Sequence, residues 1–220
     1  MINVRTVFTK TGRAKYISHL DLMRCMTRAL KRSSLPVWYT EGFNPHAYIM
    51  FPLALSLGTE SRVEIMDFNL IEDIPFDEIK SRLNAVLPEN IQIVSAAAQI
   101  SKHTEIAFSR YTMVFESDVM SAEELKKSFA DFMAQQTIEI EKKTKKKGIS
   151  TVDIRPYIDV KGINIDGNTL SVDVILPSGI PFNLNANAVS EAYNAFSDDK
   201  VIVKKLERTA ILNSAYNVFA

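Results

Sequence analysis

Two short segments of this chain hold residue types that can do chemistry: Ser18-His19-Leu20-Asp21 and Glu41-Gly42-Phe43-Asn44-Pro45-His46. An imidazole changes charge near neutral pH, so His19 and His46 are the acid–base candidates, with Asp21 and Glu41 able to orient them. If the fold brings the segments together, the set can bind a metal ion or run a metal-independent ribonuclease or transferase reaction. Alternatively each histidine is hydrogen-bonded locally, one at a helix start and one in a turn. Their spacing fits no specific metal motif, so no metal ligands are assigned. His103 falls in a linking stretch and receives no role.

A second set is cationic. Arg24, Arg28, Lys31 and Arg32 recur at helical spacing on one face and can contact phosphates. They can equally be a solvated face whose stems cover apolar surface, with the later cations suiting the helix C-terminus. Lys142, Lys143, Lys145, Lys146 and Lys147 put five lysines into six residues before Gly148, and Arg155 follows. Such a loop can grip a nucleic-acid backbone, or it can be a solvated loop that guards a sheet edge. Phe43, Trp38 and Tyr39 can stack on bases or belong to a core.

Other chemistry is unsupported. Cys25 is the one cysteine, so the chain can form neither an internal disulfide nor a cysteine-ligated zinc or iron–sulfur site. Among Leu22, Met23 and Met26 it reads as a small buried hydrophobe. The seven glycines make no dinucleotide or phosphate-loop pattern, and neither a nucleophile elbow nor a His-Glu-x-x-His pair occurs. No cofactor is assigned. With 26 basic against 26 acidic residues the net charge is zero, so attraction to a polyanion must come from local patches.

The elements that must position these groups follow from periodicity. At 220 residues the chain suits two domains of about 100 each. Residues 2–9 alternate as a strand. Ser18 caps a helix over 19–32, with Asp21 in the capping-box place. Pro36 stops it. Strands are expected over 37–40, over 47–57 with a break at Pro52, and over 62–70. A helix over 76–87 and a strand over 91–94 complete the set. That order is the βαββαβ of a ferredoxin-like fold, with both helices on one sheet face and the other face free or in need of cover. The order then recurs: strand 109–116, helix 121–135, strands 137–141 and 168–176, helix 185–196, and strands 200–206 and 208–212. The expectation is an α+β chain of two tandem ferredoxin-like units. The first, 1–100, carries both motifs; the second, 106–220, carries the basic loop 142–148. The N-terminus lacks the apolar core of a signal peptide, and no stretch approaches the ~20 apolar residues of a membrane span, so a cytoplasmic protein with no membrane partner is expected.

Tyr16–Arg24, Arg28–Arg32, Leu35-Pro36 and Tyr39–His46, with Lys143–Lys146 and Val152–Pro156, resemble the radical-SAM-associated family of unknown function. The pattern departs from it at Ala47-Tyr48, where a proline or basic pair is expected. The resemblance implies an accessory or substrate-binding role beside a radical-SAM enzyme and supplies no reaction. The single cysteine fits, because the cluster for radical chemistry must then sit on the partner. Three readings follow. The preferred one is an RNA-binding module, for tRNA or rRNA, that presents its RNA to a radical-SAM protein. The others are a protein-docking scaffold that uses a free sheet face, and an enzyme that uses His19 and His46.

Overall fold

Alternating residues in Ile2–Lys10 send Val4 and Phe8 to one side of strand β1 and Arg5 to the other, which is the period of an extended chain. The computed structural model describes residues 1–144 and 148–219. The chain is mixed α+β and divides into two compact units, Met1–Ile106 with Asn213–Ala220, and Ala107–Leu212. The tail from Asn213 thus groups with the first unit, where the sequence boundary at 106 puts it with the second. Among the described residues no helix is long and apolar enough to cross a membrane.

In the first unit, β1 is followed by α1 (His19–Arg32), β2 (Ile49–Met50), β3 (Glu60–Leu70), α2 (Phe76–Asn84) and β4 (Ile91–Ala98). The strand order is β4-β1-β3, with β2 on the outer edge of β3. The pairs β1–β3, β1–β4 and β2–β3 are antiparallel. Leu22, Met26, Ala29 and Leu30 of α1, with Ile79 and Leu83 of α2, pack onto Val4, Phe8, Met66, Phe68 and Leu70 of the sheet. The apolar stripe of α1 sets this docking, because a three-to-four-residue repeat returns each side chain to the same face.

Part of the opposite sheet face of this unit is covered. Arg5 and Asp67 stand directly across β1 and β3 in register. Arg5 Nε and Nη2 donate to the two Asp67 oxygens at 2.8 Å each. Both side chains are 2% exposed. Gln99 Nε2 donates to Asp67 at 3.1 Å and Arg5 Nη2 donates to the Ser101 carbonyl at 3.0 Å. Phe219, from the C-terminal tail, lays its ring 4.5 Å from the Arg5 guanidinium carbon. The first unit covers this part of its sheet with its own chain, which is the second of the two alternatives that the sequence leaves open.

The second unit runs β5 (Ile106–Glu116), α3 (Ala122–Ala134), β6 (Glu139–Thr144), β7 (Gly148–Asp153), β8 (Asp159–Asp166), β9 (Thr169–Pro177), α4 (Ala186–Phe196) and β10 (Ile202–Asn213). The order is β10-β5-β9-β8, while β6 and β7, among the described residues, pair only with each other. Phe115, Phe129, Phe132 and Tyr193 form an aromatic centre, with ring centroids 5.1–6.3 Å apart. Tyr193 Oη donates to the Leu125 carbonyl at 3.0 Å, so its polar tip is satisfied inside the core.

Several sequence expectations shift. The lysine run does not lie wholly in a loop, since Lys142 and Lys143 lie in strand β6 opposite Ser150 and Ile149. Strands β7 and β8 fall where none is expected. Residues 37–40 form only two isolated bridges, Val37 to Leu70 and Tyr39 to Ala47. Of 47–57 only Ile49–Met50 is strand. Helix α2 stops at Asn84, three residues early, and the Val86 N–H closes a tighter turn onto the Leu83 carbonyl before Pro88.

Candidate nucleic-acid interface

Helix α1 begins where Ser18 Oγ accepts the Asp21 N–H at 3.1 Å and donates back to Asp21 Oδ2 at 2.7 Å. Arg24 Nη1 donates to Asp21 Oδ1 at 3.0 Å. The Ser18 hydroxyl, then the Arg24 guanidinium, holds the Asp21 carboxyl below its ordinary pKa. Asp21 is therefore an anion at neutral pH and a cap, with no spare proton for general-acid work. His19 meets the Phe51 ring edge-on, with centroids 5.4 Å apart. Nothing among the described residues joins His19 to His46 by hydrogen bond or ring contact, and no group of three or more His, Cys, Asp or Glu among them can hold a metal ion. Burial pushes the Cys25 thiol up, so it stays protonated and unreactive.

The cations of α1 differ in their commitments. Arg24 is tied to Asp21, and Arg32 Nη2 donates to the Val86 carbonyl at 2.9 Å. Arg28 and Lys31 are exposed, with no acidic or hydrogen-bonding partner among the described residues. Leu20, Met23, Arg24, Thr27 and Arg28 border a shallow groove of about 360 Å³ along the helix. Leu20 and Met23 lie off the buried stripe, which is the sequence signal for apolar residues left at the surface.

The segment between Tyr39 and Ala47 is a closed loop. Thr40 N–H donates to the His46 carbonyl at 2.9 Å, and His46 N–H donates to Thr40 Oγ1 at 3.2 Å. His46 Nδ1 lies 3.1 Å from Thr40 Oγ1 and 3.0 Å from the Asn44 carbonyl. A carbonyl only accepts, so Nδ1 carries the hydrogen in that contact and Nε2 is the lone-pair nitrogen of the neutral ring. Glu41, Gly42, Phe43, Asn44 and Pro45 are all exposed. Gly42 has φ +122, which a side chain would resist, although a Cβ there would meet nothing. Trp38 is half-buried edge-on to Tyr48, so it belongs to the base of the loop more than to its surface.

In the second unit the hairpin β6–β7 carries the start of the lysine run. Lys142 Nζ stands 4.9 Å from the Phe182 ring centroid and 3.5 Å from the Asn183 carbonyl. Phe182 in turn meets Tyr157 at 4.6 Å. A crevice of about 190 Å³ lies between the hairpin and the start of α4, walled by Ile140, Val152, Leu184 and Ala188. Sequence reasoning misses Phe182 and Tyr157 as neighbours of the lysines, because their contact is tertiary and leaves no local pattern. Lys145, Lys146 and Lys147 lie outside the described residues. Arg155 is used structurally: its Nε donates to the Met133 carbonyl at 2.6 Å and its N–H to Asp153 Oδ1 at 2.9 Å.

A family model described as an uncharacterized protein conserved in bacteria (DUF2344) matches residues 3–180. No curated protein matches. Among solved structures, the chain is similar to one in the crystal structure of a Cbf5-Nop10-Gar1 complex. The identity is 11% and the TM-score 0.50, over 96% of this chain and 49% of that one. It is also similar to one in the crystal structure of the archaeal box H/ACA sRNP Nop10-Cbf5 complex, at 10% identity and TM-score 0.42, over 94% and 47%. The chain thus spans about half the length of these neighbours. At this identity the first likeness is one of fold alone.

Proposed function

The chain belongs to this bacterial DUF2344 family, and from that premise we propose that it is a non-catalytic RNA-binding module acting beside a radical-SAM enzyme, in the modification of tRNA or rRNA. The observation that carries the reading is the β6–β7 hairpin. It is a two-stranded ribbon with no other strand partner among the described residues, and Lys142 and Lys143, the first two of the five lysines, lie in its strand β6. A two-stranded ribbon that carries cations can be laid along a phosphate backbone. In the first unit Arg28 and Lys31 add two cations that no acidic group among the described residues neutralises.

The ferredoxin-like description of each unit is part of this proposal. It is supported by the strand orders β4-β1-β3-β2 and β10-β5-β9-β8, each within a β-α-β-β-α-β succession, the second with the hairpin inserted after α3. The radical-SAM partner is supported by the sequence resemblance and by the single cysteine, which leaves cluster chemistry to another chain. Two features weigh against the rival readings. The part of the first unit's sheet face around Arg5 and Asp67 is covered by Phe219, Gln99 and Ser101, and His19 and His46 are held in separate settings.

The purified protein is expected to bind a mixed-sequence single-stranded RNA at low salt. The Arg28→Ala/Lys31→Ala double variant should bind more weakly whatever the RNA sequence, and the slope of log affinity against log salt should shrink by roughly 0.7 for each phosphate contact removed. An unchanged slope removes α1 from the interface, and no binding by the wild type removes the reading itself.

A further inference from the structure

Phe43 sits at the tip of the 40–46 loop with a relative exposure of 112%, so both faces of its ring meet water. Exposure of a whole aromatic ring forgoes the burial that normally stabilises such a residue. The loop nevertheless holds it there. Thr40 and His46 close the base through two hydrogen bonds from their backbone N–H groups, His46 Nδ1 ties to the Asn44 carbonyl, and Gly42 supplies the turn. Trp38 N–H donates to the Asn69 carbonyl and anchors the loop on β3. The ring is thus presented by a fixed support.

We propose that Phe43 is a stacking platform for one unpaired base of single-stranded RNA, with the edges of that base met by Asn44 and His46. The inference rests on the RNA-binding reading above. The surroundings of the ring select the ligand. Glu41, Asn44 and His46 are polar and exposed within three residues of it. An apolar socket on a protein, deep enough to enclose Phe43, would strip water from these groups without returning their hydrogen bonds. A nucleobase offers a flat face to the ring and a polar edge to its neighbours. The Asn44 amide both donates and accepts, His46 Nε2 accepts in the tautomer described above, and Glu41 can accept from an exocyclic amine.

The test is binding of a short single-stranded RNA carrying 2-aminopurine, read by anisotropy and by quenching of the base. Phe43→Ala should bind roughly five- to a hundredfold more weakly than wild type and lose the quenching. Phe43→Leu keeps an apolar side chain but loses the flat face, and should show the same loss. Phe43→Trp should restore affinity and quenching. Because Phe43 touches no core, all three should fold as the wild type does. Full affinity in Phe43→Leu or Phe43→Ala overturns the inference while wild-type binding leaves the RNA reading standing. Absence of wild-type binding at low salt overturns both together.

Discussion

Asp67→Ala is expected to destabilise the protein by about 3–5 kcal/mol, because it leaves the Arg5 guanidinium buried without its carboxylate. Arg5 and Asp67 are each 2% exposed and joined by two parallel hydrogen bonds. Removal of one partner strands the other charge beneath Phe219, where water cannot replace the bond. The effect should appear as a lowered midpoint in urea unfolding. Asp67→Asn keeps one acceptor oxygen and should lose less. The double variant Arg5→Met/Asp67→Leu removes both charges and should recover much of the stability, since a buried pair contributes little over an apolar pair of similar size. A loss below about 1 kcal/mol in Asp67→Ala would show that the pair is solvated and the tail does not seal it.

Phe129→Ala should cost a similar amount, about 3–5 kcal/mol, by opening a cavity in the second unit. Phe129 is fully buried and its ring meets Phe115, Phe132 and Tyr193. Three aromatic neighbours cannot all move into the space, so the cavity stays largely unfilled. Thermal unfolding followed by circular dichroism checks the effect. A shift of only one or two degrees would mean that α3 is not part of the cooperative core.

Local pattern carries part of this fold well. Ser18, the stripe Leu22-Met26-Ala29-Leu30 and Pro36 announce α1, and the helix runs between the residues they mark. The alternation of 62–70 marks β3 in the same way. Elements that depend on pairing are harder to read. Lys142 favours solvent in any conformation, so strand β6 runs past the expected 137–141 through its register with β7 and not through propensity. Asp159–Asp166 contains Gly162 and three acids or amides, yet pairs along β9.

The site divides similarly. The Glu41–His46 turn is legible from Gly, Asn and Pro, and Phe43 from its place among them. Arg5 and Asp67 are charges on alternating strands and carry no local signal of burial. Only their register, 62 residues apart, shows them as a buried pair. That pair explains why the sheet face beneath Phe219 offers no open docking surface, a conclusion no single segment contains. His19 and His46 are the converse case. Each motif is distinct in sequence, but the contacts of each ring are made within the first unit and not to one another.

The most direct test of the RNA-binding account is the affinity for single-stranded RNA across a salt series, with wild type beside the Lys142/Lys143/Lys145/Lys146/Lys147→Ala variant. The account predicts binding that falls steeply with salt in the wild type, and a slope smaller by roughly 0.7 for each phosphate the variant no longer neutralises. Equal slopes in the two proteins, or no binding by the wild type at low salt, would contradict it.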